Sequence, residues 1–113
     1  MITIAEMNKH IYFIANSSYT HVKIGKSQTR EGCHRRLSDC QVGNPEPLLL
    51  LGIVPPMKHL GERYLHQRFQ DDYIRGEWFQ LSNQIAAYIQ LHAERPTRPT
   101  YTATPTTISE TTT

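Results

Sequence analysis

Two short runs of β-branched and aromatic residues near the start of the chain constrain its fold most. HIYFIA at residues 10–15 and HVKIGK at residues 21–26 have the composition of β-strands, and NSSYT between them supplies turn-forming residues. Two strands separated by a short polar loop form an antiparallel hairpin. We therefore predict a β-hairpin whose turn is centred on Ser17 and Ser18.

Four further segments complete the predicted fold. CHRRLSDCQ (33–41) places its apolar residues on one helical face, and LLLLGIV (48–54) is a short apolar run between proline-containing breakers, which predicts a buried strand. Apolar spacing also predicts helices over residues 57–71 and from an N-cap at Ser82 to about Glu94. The order of these elements predicts a small α+β domain in which helices flank a three-stranded sheet.

The composition limits the chain to one compact domain. Its 113 residues, of which 38% are hydrophobic, can supply a single core. A formal charge of +2 makes the chain only mildly basic, so phosphate binding would have to come from a local patch. The sequence has neither a run of about 18 apolar residues nor a charged-then-apolar leader, which predicts a soluble, cytoplasmic protein without a membrane span.

The chain changes character at Arg95. From there onward the sequence RPTRPTYTATPTTISETTT is dominated by Thr and Pro and contains almost nothing to bury. Segments of this kind cannot offset the entropy that they would lose on folding. We expect residues 1–94 to form the domain and residues 95–113 to be a disordered tail.

The two cysteines, Cys33 and Cys40, lie two turns apart on one side of the first predicted helix, with about 10 Å between their Cα atoms. A disulfide between them would require roughly 4.4–6.8 Å. A metal site that also used His34 would have a spacing unlike the short Cys-x-x-Cys motifs of zinc sites. We interpret both cysteines as buried free thiols.

The predicted hairpin sorts its residues onto two faces. A turn at Ser17 and Ser18 pairs Tyr12 with Lys23, and the alternation of side chains puts Gly25 on the same face. That face could carry a site, or Lys23 could simply point to solvent from a half-exposed hairpin. The opposite face is wholly apolar and consists of Ile11, Phe13, Val22 and Ile24.

Charged side chains also collect at the edges of two predicted helices. Arg36 falls at the margin of its apolar stripe, whereas Arg35 points to the far side. On the next helix Glu62 and His66 share a flank with His59, because residues three or four apart are neighbours on a helix. Either edge could be an ordinary solvated helix flank, so neither identifies a site by itself.

Several of these features occur together in a recognisable order. The pieces are IYF (11–13), VKIGKS (22–27), RRLSDCQVGNPEPLLLLG (35–52), ERYLHQRF (62–69) and GEWFQL (76–81). In this combination the sequence resembles the GIY-YIG nuclease superfamily, and more narrowly its phage-associated DNA-binding branch, in which KIG commonly stands in place of YIG. The resemblance covers approximately residues 10–90.

The resemblance implies a fold and a chemistry. The superfamily carries a single divalent-metal site for phosphodiester hydrolysis on a three-stranded antiparallel sheet flanked by helices. Tyr12 matches the tyrosine of the first motif, and Lys23 and Gly25 match the first and last letters of the second. Arg36 matches the helix arginine and Glu62 the metal-binding glutamate. These matches imply a DNA endonuclease in the cytoplasm of a bacterial or phage-infected host cell.

The matched residue types suit this implied chemistry. Glu62 would hold Mg²⁺, or another divalent metal such as Mn²⁺, together with phosphate oxygens. Arg36 would stabilise the charge of the transition state. Tyr12 would orient or deprotonate the attacking water if the nearby Lys23 lowered its pKa. The predicted nucleic-acid contacts are Gly25, which leaves room for a backbone to approach, Lys26 and Arg36, and His66 is a candidate for proton transfer or metal support.

Two departures from the superfamily pattern leave the activity open. His10 replaces the leading glycine, and Lys23 replaces the second tyrosine. The protein is then either a metal-dependent DNA endonuclease or a catalytically silent DNA-binding module on the same fold. A third hypothesis is a domain that binds RNA or protein through Trp78 and Phe79, although aromatics of this size are better suited to the core.

Overall fold

A computed structural model describes residues 2–96, which form four α-helices and a five-stranded sheet. The α+β class predicted from the sequence is confirmed, whereas the prediction of three strands is wrong. The strands are β1 (His10–Asn16), β2 (His21–Ser27), β3 (Leu48–Val54), β4 (Tyr73–Arg75) and β5 (Trp78–Gln80). The helices are α1 (Ile4–Met7), α2 (Arg30–Gln41), α3 (Glu62–Arg68) and α4 (Asn83–His92), with a 3₁₀ turn at Gln70–Asp72.

The sheet has the strand order β3-β1-β2-β5-β4, and every neighbouring pair is antiparallel. The two strands that the sequence did not reveal, β4 and β5, have three residues each. Segments this short do not show the alternation by which strands are recognised. The turn between them contains Gly76, whose φ of +58° lies in the left-handed region that glycine adopts readily.

The hairpin of β1 and β2 is present, but its register differs from the predicted one by two residues. Tyr12 pairs with Gly25, and Lys23 pairs with Ile14. A shift of one residue would have turned every side chain to the other face, whereas a shift of two residues preserves the alternation. Tyr12, Lys23 and Gly25 therefore still belong to one face.

The side chain of Asn16 accounts for the change of register. Its oxygen accepts hydrogen bonds from the backbone N–H groups of Thr20 and His21 at 3.0 and 2.9 Å. An Asn side chain that bonds the following backbone in this way stabilises a turn. The connection therefore consists of residues 17–20 and not of a two-residue turn at Ser17 and Ser18.

Helices cover both faces of the sheet. On one face α2 packs against β1 and β3, where its Cys33 joins Tyr12 and Ile14 in a buried apolar cluster. The sheet face of Tyr12, Lys23 and Gly25, which we predicted as a possible site, is thus partly covered by α2. On the other face, α3 and α4 bury the four residues predicted to be apolar core, Ile11, Phe13, Val22 and Ile24.

The helix predicted over residues 57–71 is shorter, because α3 begins only at Glu62 and ends at Arg68. Met57 and Gly61 have φ values of +67° and +103°, which a right-handed helix does not contain. The preceding segment is instead fastened to the start of the chain, where the Met57 N–H donates to the Met7 carbonyl at 2.7 Å.

His59 consequently does not share a helical flank with Glu62. It is buried, its Nε2 donates to the Lys9 carbonyl at 2.6 Å, and its Nδ1 accepts a hydrogen bond from the Gly61 N–H at 2.9 Å. Acceptance at Nδ1 requires the neutral ring, and burial lowers the pKa of His59. His59 therefore links the start of β1 to the segment before α3.

Both cysteines are free thiols, as predicted. Cys33 is buried, which raises the pKa of its thiol to about 11, and Cys40 is half-buried. Between residues 2 and 96, no three His, Cys, Asp or Glu side chains are grouped so that they could hold a metal ion. The structure gives no support to the alternative metal site built from Cys33, His34 and Cys40.

The predicted disordered tail falls almost entirely on residues 97–113, which lie outside the described residues. The last residues of α4 are followed by a contact with β3, in which the backbones of Ile53 and Glu94 exchange hydrogen bonds of 3.1 and 2.7 Å. None of the helices found between residues 2 and 96 is long and apolar enough to cross a membrane.

Candidate functional site

Predicted site residues from four elements lie near the carboxylate of Glu62, the first residue of α3, or near the phenol of Tyr12. Lys26 Nζ, from β2, lies 3.7 Å from Glu62 Oε1, and His66 Nε2, one turn along α3, lies 3.9 Å from Glu62 Oε2. The charges of Glu62 and of Arg36, from α2, both act on the phenol of Tyr12 in β1. The sheet thus brings together residues that lie far apart in the sequence.

A second carboxylate, that of Glu77, faces Glu62 and was not identified from the sequence. It lies in the turn between β4 and β5, and its backbone carbonyl accepts a hydrogen bond of 3.0 Å from the Ile24 N–H, which holds the turn beside β2. Burial, and next the negative charge of Glu77, raise the pKa of Glu62. Two carboxylates this close repel each other unless a proton or a cation is shared between them.

One oxygen of Glu62 has no hydrogen-bond partner in the described part of the chain. The side chain of Glu62 is 15% exposed, and its Oε2 is buried without a hydrogen bond from any residue between 2 and 96. Leaving a buried charged acceptor unsatisfied costs free energy. This oxygen is therefore available to a ligand from outside the chain.

Two lysines of β2 each pair with one of the carboxylates. Lys23 Nζ lies 3.6 Å from Glu77 Oε1, and Lys26 makes the contact with Glu62 described above. The Lys23 side chain is only 20% exposed, so it does not simply point to solvent. Together the two lysines offset part of the negative charge of the carboxylate pair.

Tyr12 is buried more deeply than the sequence suggested, with 1% of its surface exposed. Burial, and next the charge of Glu77, raise the pKa of its phenol, and the opposing effect of Arg36 is smaller. The expectation that a nearby cation lowers this pKa is wrong, because α2 removes the phenol from solvent and Lys23 pairs with Glu77 instead. Tyr12 keeps its proton at neutral pH and can donate a hydrogen bond.

Gly25 makes room for the ring of Tyr12. A Cβ added at Gly25 would lie 2.2 Å from Tyr12 Oη and 2.3 Å from Tyr12 Cζ, far inside van der Waals contact. We predicted that Gly25 leaves room for a nucleic-acid backbone to approach, but the phenol of Tyr12 occupies that space. Gly25 sets the position of Tyr12 within the site.

His66 is fixed by a backbone contact. Its Nε2 lies 2.9 Å from the Ile24 carbonyl, and because a carbonyl only accepts, Nε2 carries the proton and donates it. The ring also packs edge-on against Phe79, with 4.9 Å between the ring centroids. Nε2 thus makes a structural hydrogen bond to β2. Together with the contact to Phe79, this bond fixes the ring of His66 beside Glu62.

Arg36 is exposed, and it lines a cleft beside α2. Arg35 lines the same cleft, although the helical geometry predicted that it would point to the far side. The predicted helix began at Cys33, whereas α2 begins at Arg30 and packs against β1, β2 and β3. The sequence predicted these three strands but not how α2 lies across them.

Comparison with known protein families identifies the domain family of this chain. The family model of the T5orf172 domain matches residues 9–91. This chain belongs to the T5orf172 domain family. T5orf172 domains are phage-related, nuclease-like DNA-binding domains. The assignment to the GIY-YIG superfamily made from sequence pieces is wrong, because the matching family is a different one and no GIY-YIG family matches. Searches of curated proteins and of solved structures find no match.

The T5orf172 match includes every residue of the site, since Tyr12 and Glu77 both lie between residues 9 and 91. Glu77 is part of the sequence piece GEWF, yet no neighbouring residue in the sequence indicates that it belongs to a site. Its place in the site depends on the pairing of β5 with β2, which puts Trp78 beside Lys23 and the preceding turn beside Glu62. The one local signal is Gly76, which marks the turn.

Proposed function

We propose that this T5orf172 domain is a metal-dependent DNA endonuclease that hydrolyses phosphodiester bonds at the pair formed by Glu62 and Glu77. The observation that carries the proposal is the buried Glu62 Oε2, which accepts no hydrogen bond within residues 2–96 and belongs to a carboxylate that faces a second one. Carboxylates beside a DNA phosphate repel it. A divalent cation bound between the carboxylates and the phosphate would remove this repulsion.

Mg²⁺, or another divalent metal such as Mn²⁺, fits the donors that the chain offers. Mg²⁺ is usually held by one or two carboxylates and keeps several waters, so it does not need a larger cluster of protein ligands. Glu62 and Glu77 would be its protein ligands. When bound, the metal would neutralise charge on the scissile phosphate and on the leaving oxygen.

The remaining residues would act on the phosphate and on water. Arg36 is exposed and carries a planar set of donors that can bind two phosphate oxygens at once. Tyr12 would donate a hydrogen bond that orients the phosphate or the attacking water, because its raised pKa keeps the phenol protonated. Lys23 and Lys26 would hold the carboxylates in place and reduce their mutual repulsion.

A second candidate function, a catalytically silent DNA-binding module, is favoured by the same two lysines. Their ammonium groups lie 3.6 and 3.7 Å from the carboxylates of Glu77 and Glu62, so the pair is partly neutralised without a metal. A partly neutralised pair repels a DNA phosphate less strongly. In that case the exposed Arg36 would contribute to binding alone.

Nicking of supercoiled plasmid DNA separates the two functions. Purified protein is incubated with plasmid and Mg²⁺ or Mn²⁺, beside Glu62→Gln and Tyr12→Phe. The matched control is Glu6→Gln, which removes one acidic charge from α1, where Glu6 pairs with Arg63. An endonuclease at this site nicks only with metal, loses nicking in Glu62→Gln, is slowed in Tyr12→Phe and is unchanged in Glu6→Gln.

Two other outcomes of the nicking assay would contradict the proposed endonuclease site. If the wild-type protein retards DNA in a gel but leaves it uncut with either metal, the catalytic proposal fails and the binding module stands. If Glu62→Gln nicks as fast as the wild-type protein, cleavage occurs somewhere other than at this carboxylate pair.

A further inference from the structure

A cleft of about 390 Å³ lies between α2 and the end of β2. Four of its lining side chains are cationic and none is acidic. We call it the basic cleft and define it by Lys9, Lys26, Arg35 and Arg36. Since the whole chain has a formal charge of only +2, the cleft gathers positive charge that the rest of the molecule balances. Surfaces of this kind attract anions.

Three of the four cations have no carboxylate partner within residues 2–96. Lys9, Arg35 and Arg36 form no ion pair there, whereas Arg30, on the same helix as the two cleft arginines, lies 3.1 Å from a carboxylate oxygen of Glu94. Like charges gathered in a cleft repel one another unless an anion offsets them. The contrast with Arg30 indicates that the cleft cations are available to a ligand.

The lining residues of the cleft that are not cationic are polar residues and a glycine. A Cβ added at Gly32 would lie 2.0 Å from Ser27 Oγ, so glycine allows α2 to approach the end of β2. Thr29 also lines the cleft, and its Oγ1 accepts a hydrogen bond of 2.9 Å from the Gly32 N–H. Hydroxyl groups and cations that line the same cleft suit a phosphate better than an apolar ligand.

The basic cleft is continuous with the carboxylate site. Lys26 lines the cleft and also lies 3.7 Å from Glu62. Arg36 lines the cleft and acts by its charge on Tyr12. A polyanion that reached Glu62 would therefore extend directly into the cleft, where Lys9 and Arg35 take no part in the carboxylate site.

We infer that the basic cleft binds the backbone of the DNA strand next to the scissile phosphate, with Lys9 and Arg35 as phosphate contacts. The inference rests on the proposed function because it takes DNA as the substrate. Contacts to phosphates fix the register of DNA on a protein without reading its sequence. Binding through this cleft is accordingly independent of sequence and weakened by salt.

Fluorescence anisotropy with a labelled DNA duplex tests the inference. EDTA is present throughout, so that binding is measured without cleavage. Lys9→Ala and Arg35→Ala are compared with Arg63→Ala, which removes the same charge from an exposed side chain on α3. Each cleft substitution is expected to weaken binding roughly threefold to tenfold and to reduce the slope of log K against log salt by about 1. Arg63→Ala is expected to leave both close to wild type.

Affinity and salt slope equal to those of the wild-type protein in both Lys9→Ala and Arg35→Ala would overturn the inference. Circular dichroism checks that the variants fold, and Arg35→Gln keeps the length of the side chain should alanine disturb α2. The result is separable from the nicking assay. Weaker binding without any metal-dependent nicking supports the cleft and rejects the nuclease, whereas nicking with unchanged binding in both variants rejects only the cleft.

Discussion

Replacing Gly25 with alanine tests how the fold positions Tyr12. The backbone of Gly25 has no special conformation, so alanine would be accepted in β2 if space allowed. The new Cβ would meet three atoms of Tyr12, with distances of 2.2 Å to Oη, 2.3 Å to Cζ and 2.8 Å to Cε1. The substitution therefore forces the phenol out of its place.

The size of the effect follows from these distances. Carbon atoms make favourable contact at about 3.5 Å, so Cζ at 2.3 Å has to withdraw by about 1.2 Å. The ring is 1% exposed and packs beneath α2, so it cannot move without disturbing its neighbours. Overpacking costs about 1–3 kcal/mol, and alanine regains about 0.5–1 kcal/mol over glycine in a strand. The midpoints of these two ranges give an expected net loss of about 1 kcal/mol of unfolding free energy.

Urea denaturation of Gly25→Ala in three backgrounds measures this loss. In the wild-type and Tyr12→Phe backgrounds the cost should be similar, because the phenyl ring retains the Cζ atom. In the Tyr12→Ala background the ring is absent, and Gly25→Ala should be neutral or stabilising. A double-mutant cycle of this kind isolates the interaction between the two residues. In the nicking assay, the displaced phenol should also slow cleavage.

Two results would contradict the predicted clash between alanine at residue 25 and the ring of Tyr12. Gly25→Ala could be as stable as the wild-type protein, which would mean that the ring has room to move. It could also cost the same in the Tyr12→Ala background, which would mean that the loss arises from the strand and not from the ring.

Substitutions of Asn16 and of His59 test the hairpin loop and the buried histidine before α3. Asn16→Ala removes the acceptor for two backbone N–H groups of the hairpin loop and should cost about 1–3 kcal/mol in urea denaturation, whereas Asn16→Asp keeps the acceptor and should cost less. His59→Asn should flatten the pH dependence of stability. Because the folded pKa of His59 is lowered, the unfolded state takes up the proton first, so wild-type stability should fall as the pH drops below about 6.5. A thermal unfolding profile against pH that is the same in both proteins would contradict this.

Local sequence signals predicted the elements that depend on nearby residues. The strand at residues 48–54 has the predicted bounds, since flanking prolines limit it on both sides. Ser82 caps α4 as predicted, and its side chain accepts a hydrogen bond from the Ile85 N–H. The apolar face of the hairpin also forms the core, because alternation of side chains survives a register shift of two residues.

The features that the sequence did not reveal depend on contacts between distant segments. The strands β4 and β5 are too short to be recognised alone and exist because β5 pairs with β2. Glu77 enters the site through that pairing. The burial of Tyr12 depends on α2 packing over β1, and this reverses the expected direction of the pKa shift of its phenol. Residue types could suggest a phosphate site, but the protonation state of its tyrosine required the fold.

Cation binding by the purified domain shows directly whether Glu62 and Glu77 together hold a divalent cation. Mn²⁺ binding can be followed by electron paramagnetic resonance without DNA, so the result does not depend on activity. The wild-type domain should bind one Mn²⁺, and Glu62→Gln and Glu77→Gln should each weaken binding roughly tenfold or more. The control Glu6→Gln should bind like the wild-type protein. Equal Mn²⁺ affinity in all four proteins would show that Glu62 and Glu77 do not hold the cation.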